Sequence, residues 1–332
     1  MVRSCVAASA LLPVLAAGLA SPAAAAEPPA LPSALPPITL VVPFASRGPT
    51  DLVARALAAA ITGQTGQPVQ VENRPGAGGT AGTVSVVGSP QDGRTLLLHH
   101  VGMATAPTLY RALPYDPRRD LEPIGRVVDV PMTLVARPGL PARGLADVLR
   151  LIRRGAPGLI VAYAGLGAAS HLCGLLLTQA LGVDQIQVPY TGTGPALADL
   201  QAGRADLMCD QTTNTAQPIR EGRVQGLAVA GGDRLPGLRA LPTTGEAGLP
   251  GLALSVWHGL YAPRGVARER VAELARLLQA GLAAPAFIDA MQGADVVVAT
   301  RAQASPAALR LQLDHEIARW APILRKAGQY AD

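Results

Sequence analysis

The chain has 332 residues, a formal charge of +5, and 49% apolar residues against 15% charged ones. Disorder needs the reverse balance, so a folded chain of one large or two medium domains is expected. Three cysteines exclude a disulfide-built scaffold. An aromatic content of 3% without clustered basic runs argues against a nucleic-acid partner. Lys326 is the only lysine, so arginine carries the mild basicity, which suits a small anionic ligand or an anionic surface.

At the N-terminus Arg3 precedes a charge-free apolar run from Ser4 to Leu19, and Ala24-Ala25-Ala26 precede Glu27. This is the layout of a secretory signal peptide, with cleavage expected after Ala26. A membrane anchor is the weaker reading, because Pro13 and Gly18 interrupt the run and a Pro-rich stretch follows it. Cys5 lies too far upstream to be a lipobox cysteine. The rest of the chain is then a soluble exported protein in a compartment that permits disulfides. Cys173 and Cys209 either pair or serve as two small buried apolar residues, one in a helix and one at a strand end. The second reading is preferred here, since sequence supplies no Cα separation.

From Ile38 onward short β-branched runs alternate with amphipathic helices. Ile38–Val42 reads as a buried strand, and Asp51–Ile61 as a helix capped by Thr50 or Asp51. Strands follow at 69–71 and 95–98, and an extended crossing at 131–136. The alternation then restarts: helix 145–153, strand 159–163, helix 170–181, strand 186–188, helix 195–201 closed by Gly203, and strand 205–209. Residues 227–229 return to extended structure. The tail holds two helices, 268–282 and 306–319, the second with Ser305 as N-cap and Pro306 at its first position. The charge-free stretch from Gly158 to Val183 is long enough to suggest a membrane span. Its glycines, Ser170 and His171 fit a strand, glycine loop and helix better.

Two such blocks imply an α/β fold with two largely parallel sheets flanked by helices. In open α/β sheets ligands sit at the carboxyl ends of the strands, so the strand-to-helix loops are the informative segments. Three have the form of an anion cradle: Ala45 to Asp51, Ala164 to His171, and Thr191 to Pro195. The second nearly matches G-x-G-x-x-G but ends in Ser170, a weak nucleotide signal.

Enzyme signatures fail in turn. No G-x-S-x-G elbow occurs, and His315-Glu316 lacks the second histidine of H-E-x-x-H. His99 and His100 point to opposite faces of a strand and cannot easily chelate one metal. His100 remains a possible cleft-lining residue, and His258 beside Trp257 reads as structural. Asp206 and Asp210 share a strand face, which is thin support for acid–base chemistry. No catalytic residue, metal site or cofactor is expected.

Several strings are distinctive in combination: Val41-Val42-Pro43-Phe44 with Gly48 and Thr50-Asp51; Glu72-Asn73-Arg74-Pro75-Gly76-Ala77-Gly78-Gly79; Pro90-Gln91-Asp92-Gly93; Leu113-Pro114-Tyr115-Asp116-Pro117; Ser170-His171-Leu172; and Val188-Pro189-Tyr190. From Ile38 to Gly328 the chain resembles the Bug family, the periplasmic solute-binding receptors of tripartite tricarboxylate transporters. The resemblance implies a type II, Venus-flytrap periplasmic binding protein of two α/β domains, each a mainly parallel sheet flanked by helices. Residues 1–26 are the signal peptide, 27–130 with 229–332 one domain, and 131–228 the other, with two crossings forming a hinge.

It also implies a monomeric, non-catalytic receptor for a dicarboxylate, acidic amino acid or aromatic acid, serving transporter subunits or a sensor. An exported enzyme on the same scaffold is the rival reading, and a purely structural exported protein the third. The ligand contacts carried over are Phe44, Ser46, Arg47, Gly48, Thr50 and Asp51 in the first loop, and Ala164, Gly165, Gly167, Ser170 and His171 in the second. Thr191, Gly192 and Thr193 in the third, with His100, Gly102 and Asp210, complete the set. Two departures stand out. Arg47 sits where the family commonly has glycine, and Leu166, Ala168 and Ala169 replace more polar residues, so the pocket is expected to be more apolar, with Arg47 either forking onto a carboxylate or solvated at the rim.

Overall fold

The alternating runs fold as ten strands and ten α-helices among the described residues, which in this computed structural model are 35–153, 158–328 and 330. The signal-peptide segment lies outside them. In chain order the elements are β1 (Ile38–Val42), α1 (Pro49–Thr65), β2 (Val69–Asn73), α2 (Thr80–Val87), β3 (Thr95–His100), α3 (Gly102–Leu109) and β4 (Leu121–Ala136). There follow α4 (Leu145–Arg153), β5 (Ile160–Tyr163), α5 (Ala169–Leu181), β6 (Ile186–Pro189), α6 (Thr193–Gln201), β7 (Leu207–Gln211), α7 (Thr212–Arg220) and β8 (Gln225–Val229). The chain ends with β9 (Ser255–Pro263), α8 (Arg268–Leu282), α9 (Pro285–Gly293), β10 (Val297–Val298) and α10 (Pro306–Ala327).

The strands form one curled mixed sheet in the order β2-β1-β3-β9-β4-β7-β5-β6, with β8 and β10 also on β4. The expected parallel pairs are present at both ends: β1 with β2 and β3, and β5 with β6 and β7. The middle is antiparallel, because β9 returns between β3 and β4. Sixteen-residue β4 joins the two ends: Leu121–Pro131 pairs with β9, and Met132–Ala136 with β7. After β8 the chain crosses back at Ala230, whose N–H donates to Met132 O and whose carbonyl accepts from Leu254 N–H.

Periodicity missed the short β10, the 121–130 part of β4 and, most consequentially, β9. Eight of its nine residues are buried, so it shows no alternation, and Val256 is its one β-branched residue. The expected face of α8, Val271, Leu274, Ala275, Leu278 and Leu282, is buried as its spacing requires. Ser305 caps α10 through Ala308 N–H, yet that helix continues through Pro322 to Ala327. Buried Trp320 and Leu324 hold it past the proline, offsetting the lost helical bond. Residues 158–183 resolve into β5, a glycine loop and α5, and no single helix among the described residues is long and apolar enough to cross a membrane.

The two cysteines are paired. Packing α5 on β7 brings Cys173 and Cys209 to a Cα separation of 6.1 Å, within disulfide reach. The preference for two unpaired thiols is thereby corrected. Their spacing of 36 residues carried no trace of this proximity, which only the helix-on-sheet packing creates.

Candidate functional site

Strand-to-helix loops converge on a cavity of about 430 Å³ at the carboxyl ends of β1, β2, β3, β5, β6 and β7. It is lined by the N-cap residues of five helices: Gly48 of α1, Gly79 of α2, Ala168 of α5, Gly192 of α6 and Gln211 of α7. None of these five starts is closed by a side-chain cap. In α2 the Thr80 and Ala81 N–H groups already donate to Ala77 O and Gly76 O, so free first-turn N–H groups come from the other four starts, an arrangement that favours an anion. Among the described residues the lining contains no arginine or lysine, and Asp210 is its one charged side chain.

The first wall rests on three buried histidines. His100 stacks on Phe44 with ring centroids 4.4 Å apart, and His99 and His258 lie edge-on to His100 at 5.1 and 5.8 Å. Burial pushes His99 down to about 4 and His258 to about 3, and drives His100 well below the usual imidazole range, so all three are neutral at pH 7. Their tautomers follow from fixed backbone groups. His100 N–H donates to His99 Nδ1 at 2.8 Å and Gly102 N–H to His100 Nδ1 at 2.9 Å, so both rings carry their proton on Nε2. His258 Nδ1–H faces Val256 O at 3.1 Å, which leaves Nε2 to accept from the Thr50 hydroxyl at 3.1 Å. Thr50 thus presents lone pairs, not its proton, to the cavity.

Thr50 and Asp51 do not cap α1; Gly48 does, with Pro49 at the first helical position. Asp51 sits inside the first turn and reaches back to accept Arg47 N–H at 2.8 Å, Arg55 Nε at 2.9 Å and Asn73 Nδ2 at 2.9 Å. Burial alone would raise its pKa, but these donors together outweigh that and hold the carboxyl below its ordinary value. Its oxygens are committed to shaping the loop.

The second wall is built by β5, β6 and β7. Ser170 Oγ accepts from Ala164 N–H at 2.9 Å, and buried His171 accepts from Gly167 N–H at 3.3 Å, which fixes the glycine loop. Asp210 is 2% exposed at the end of β7. Burial raises its carboxyl to about 6, against the lowering effect of Gln211 N–H and the Asn214 and Thr193 side chains. Asp206 stands just before β7 and outside the cavity lining, where it binds Arg137 Nε at 2.8 Å and Ile160 N–H at 2.9 Å.

Of the residues singled out from the sequence, Phe44, Gly48, Thr50, His100, Ala164, Gly165, Ser170, Thr191, Gly192, Thr193 and Asp210 come together on the cavity. Ser46 and Arg47 are exposed at the loop tip, and Arg47 adopts φ 62°, where a glycine would be unstrained. Asp51, Gly102, Gly167 and His171 lie behind the lining as supports. The apolar replacements Leu166, Ala168 and Ala169 all line the cavity, whereas Arg47 does not.

Sequence reasoning missed the Pro75–Gly79 segment, Tyr110, Tyr190 and Gln211. The first is a glycine loop between a strand and a helix, the same signal that flagged the others. Gly78, at φ 60°, lets this loop approach the second wall, since a Cβ there would sit 2.9 Å from Leu166 O. Tyr110 donates to Ala77 O at 2.7 Å and carried no local signal at all.

The curled sheet and its loop-lined cleft define a bilobed periplasmic binding protein. Residues 53–329 match the model of the tripartite tricarboxylate transporter family receptor, and the chain belongs to that family. It is 35% identical to Protein BugT of Bordetella pertussis over 320 residues, covering 95% of each chain. The periplasmic binding protein BugD is 44% identical, with a TM-score of 0.84 over 89% of this chain and 99% of that one. MatC of Rhodopseudomonas palustris, solved with bound malate, is 37% identical, with a TM-score of 0.82 over 87% and 98%. The chain is therefore a non-catalytic solute-binding receptor of the periplasm.

Proposed function

We propose that the receptor captures a small carboxylate in this cleft and holds it through backbone N–H groups instead of a cationic side chain. The observation that carries the reading is the convergence of the uncapped starts of α1, α5, α6 and α7 on a described lining without arginine or lysine. A carboxylate buried there meets several charge-assisted hydrogen bonds, each stronger than a neutral one. Malate in MatC supports the same ligand class. Dicarboxylates, acidic amino acids and aromatic acids all fit a cavity of about 430 Å³.

Residues 27–130 with 229–332 form one lobe in this reading and 131–228 the other, closing about β4 near Pro131 and about Ala230. The monomeric receptor, exported by the leader 1–26, presents its ligand to transporter subunits or to a sensor. Mass spectrometry of protein purified under native conditions should release one small carboxylic acid, and that acid should raise the melting temperature and shrink the radius of gyration. Protein that binds no carboxylate, or keeps its radius at saturation, would count against the reading.

A further inference from the structure

One aromatic side chain stands between two cavities. Tyr110, at the end of α3, lines the cleft and also a second pocket of about 320 Å³ beside it. Among the described residues it is the one that the two linings share. The outer pocket is walled by Pro107, Leu113, Tyr115 and Ile317, with Arg111 and Arg118 on its border. The Tyr110 hydroxyl donates to Ala77 O at 2.7 Å, and a Cβ at Gly78 would collide with it. A Cβ at Gly167, in the facing glycine loop, would come within 3.7 Å of the same hydroxyl and within 2.9 Å of the Leu109 side chain. The ring therefore runs from the outer pocket to the seam where the two walls of the cleft meet. Its partner Ala77 is held at φ 44°, a left-handed backbone that residues other than glycine avoid.

We infer that Tyr110 is a specificity-determining residue: its ring closes one end of the cleft and limits how long an acid the receptor accepts. This rests on the cleft being the carboxylate site. With the ring in place a ligand must fit within the cavity of about 430 Å³, and a longer chain runs into a wall that is hydrogen-bonded in position. Without the ring the cleft opens into the outer pocket, where the same chain buries its extra methylenes against Leu113, Tyr115 and Ile317. A buried methylene is worth about fourfold in affinity, so two that cross the boundary should raise the ratio of long to short acid by about tenfold or more. The hydroxyl fastens the ring, and the ring does the excluding.

Isothermal titration with straight-chain dicarboxylates of four to ten carbons, and with their 2-hydroxy and 2-amino forms, tests this. Thermal melting of each ligand-free variant checks that it folds. Wild-type affinity should fall by about tenfold or more beyond a limiting chain length. Tyr110→Ala should move that limit outward by at least two carbons, and Tyr110→Leu should do the same if the alanine variant does not fold. Tyr110→Phe should keep the wild-type limit, because the ring remains and only the bond to Ala77 O is lost. A limit at the same length in wild type and in the shortened variants would overturn the inference and leave the carboxylate reading intact, as would a wild type without a limit. Affinity for every acid falling by one common factor in all three variants would also overturn it, since Tyr110 would then only fasten the 75–79 loop. Wild-type protein that binds none of these acids would overturn the carboxylate reading itself.

Discussion

The two walls of the cleft solve burial of polar groups in different ways. Behind the first, three imidazoles are kept neutral and each is tied to a backbone group, so the wall is fixed before any ligand arrives. On the second, Asp210 keeps a proton more readily than an ordinary carboxylic acid, and Gln211 keeps an unpaired carbonyl. Burial pushes both walls toward the neutral form, which means losing protons on the histidines and gaining one on the aspartate. The lesson is that the same desolvation gives the two walls opposite pH responses.

The largest expected effect of a substitution concerns the staple, which the second wall alone possesses. Replacing Cys173 and Cys209 with alanine frees a loop of 36 residues and should cost roughly 3–4 kcal/mol in denaturant unfolding. Hydrogen exchange should place the loss in β5 and β7, with β1 and β3 protected as before. A uniform loss would break the division into two walls.

Acid sharpens the contrast on the first wall. The histidines have depressed values in the fold, so their stabilising contribution is present above about 6.5 and lost as pH falls toward 4 and 3. Each should remove roughly 2–3 kcal/mol by pH 4. Urea titrations from pH 7 to pH 4 should show this slope, and His258→Gln should flatten it.

Asp210 should act the other way. Its raised value means that stability is fully present below about 4 and lost as pH rises through about 6. Asp210→Asn should therefore stabilise the ligand-free protein by about 3 kcal/mol at pH 7 and by little at pH 4. A variant less stable than wild type at pH 7 would mean that the ionised carboxylate is held by its neighbours more firmly than burial opposes it.

The smallest effect belongs to Arg47, at the exposed tip of the first loop. Arg47→Gly should raise stability by about 1 kcal/mol by relieving the left-handed backbone. Arg47→Ala should leave ligand affinity unchanged at low and high salt. A large, salt-resistant loss would bring the guanidinium into the site after all.

The sequence by itself determined the strand–helix alternation, because buried β-branched runs and 3.6-residue periodicity are local properties. It also marked the three cradle loops, through glycines placed between a strand and a helix, and His100 at a strand end, while the family resemblance carried Asp210 to the cleft. Central β9 stayed hidden, since a strand buried on both faces has no alternation to read. The Cys173–Cys209 pair, the histidine cluster of His99, His100 and His258, and the meeting of Tyr110 with the Pro75–Gly79 loop were decided only by tertiary structure. Each joins residues from separate elements, and packing alone sets the distance between them.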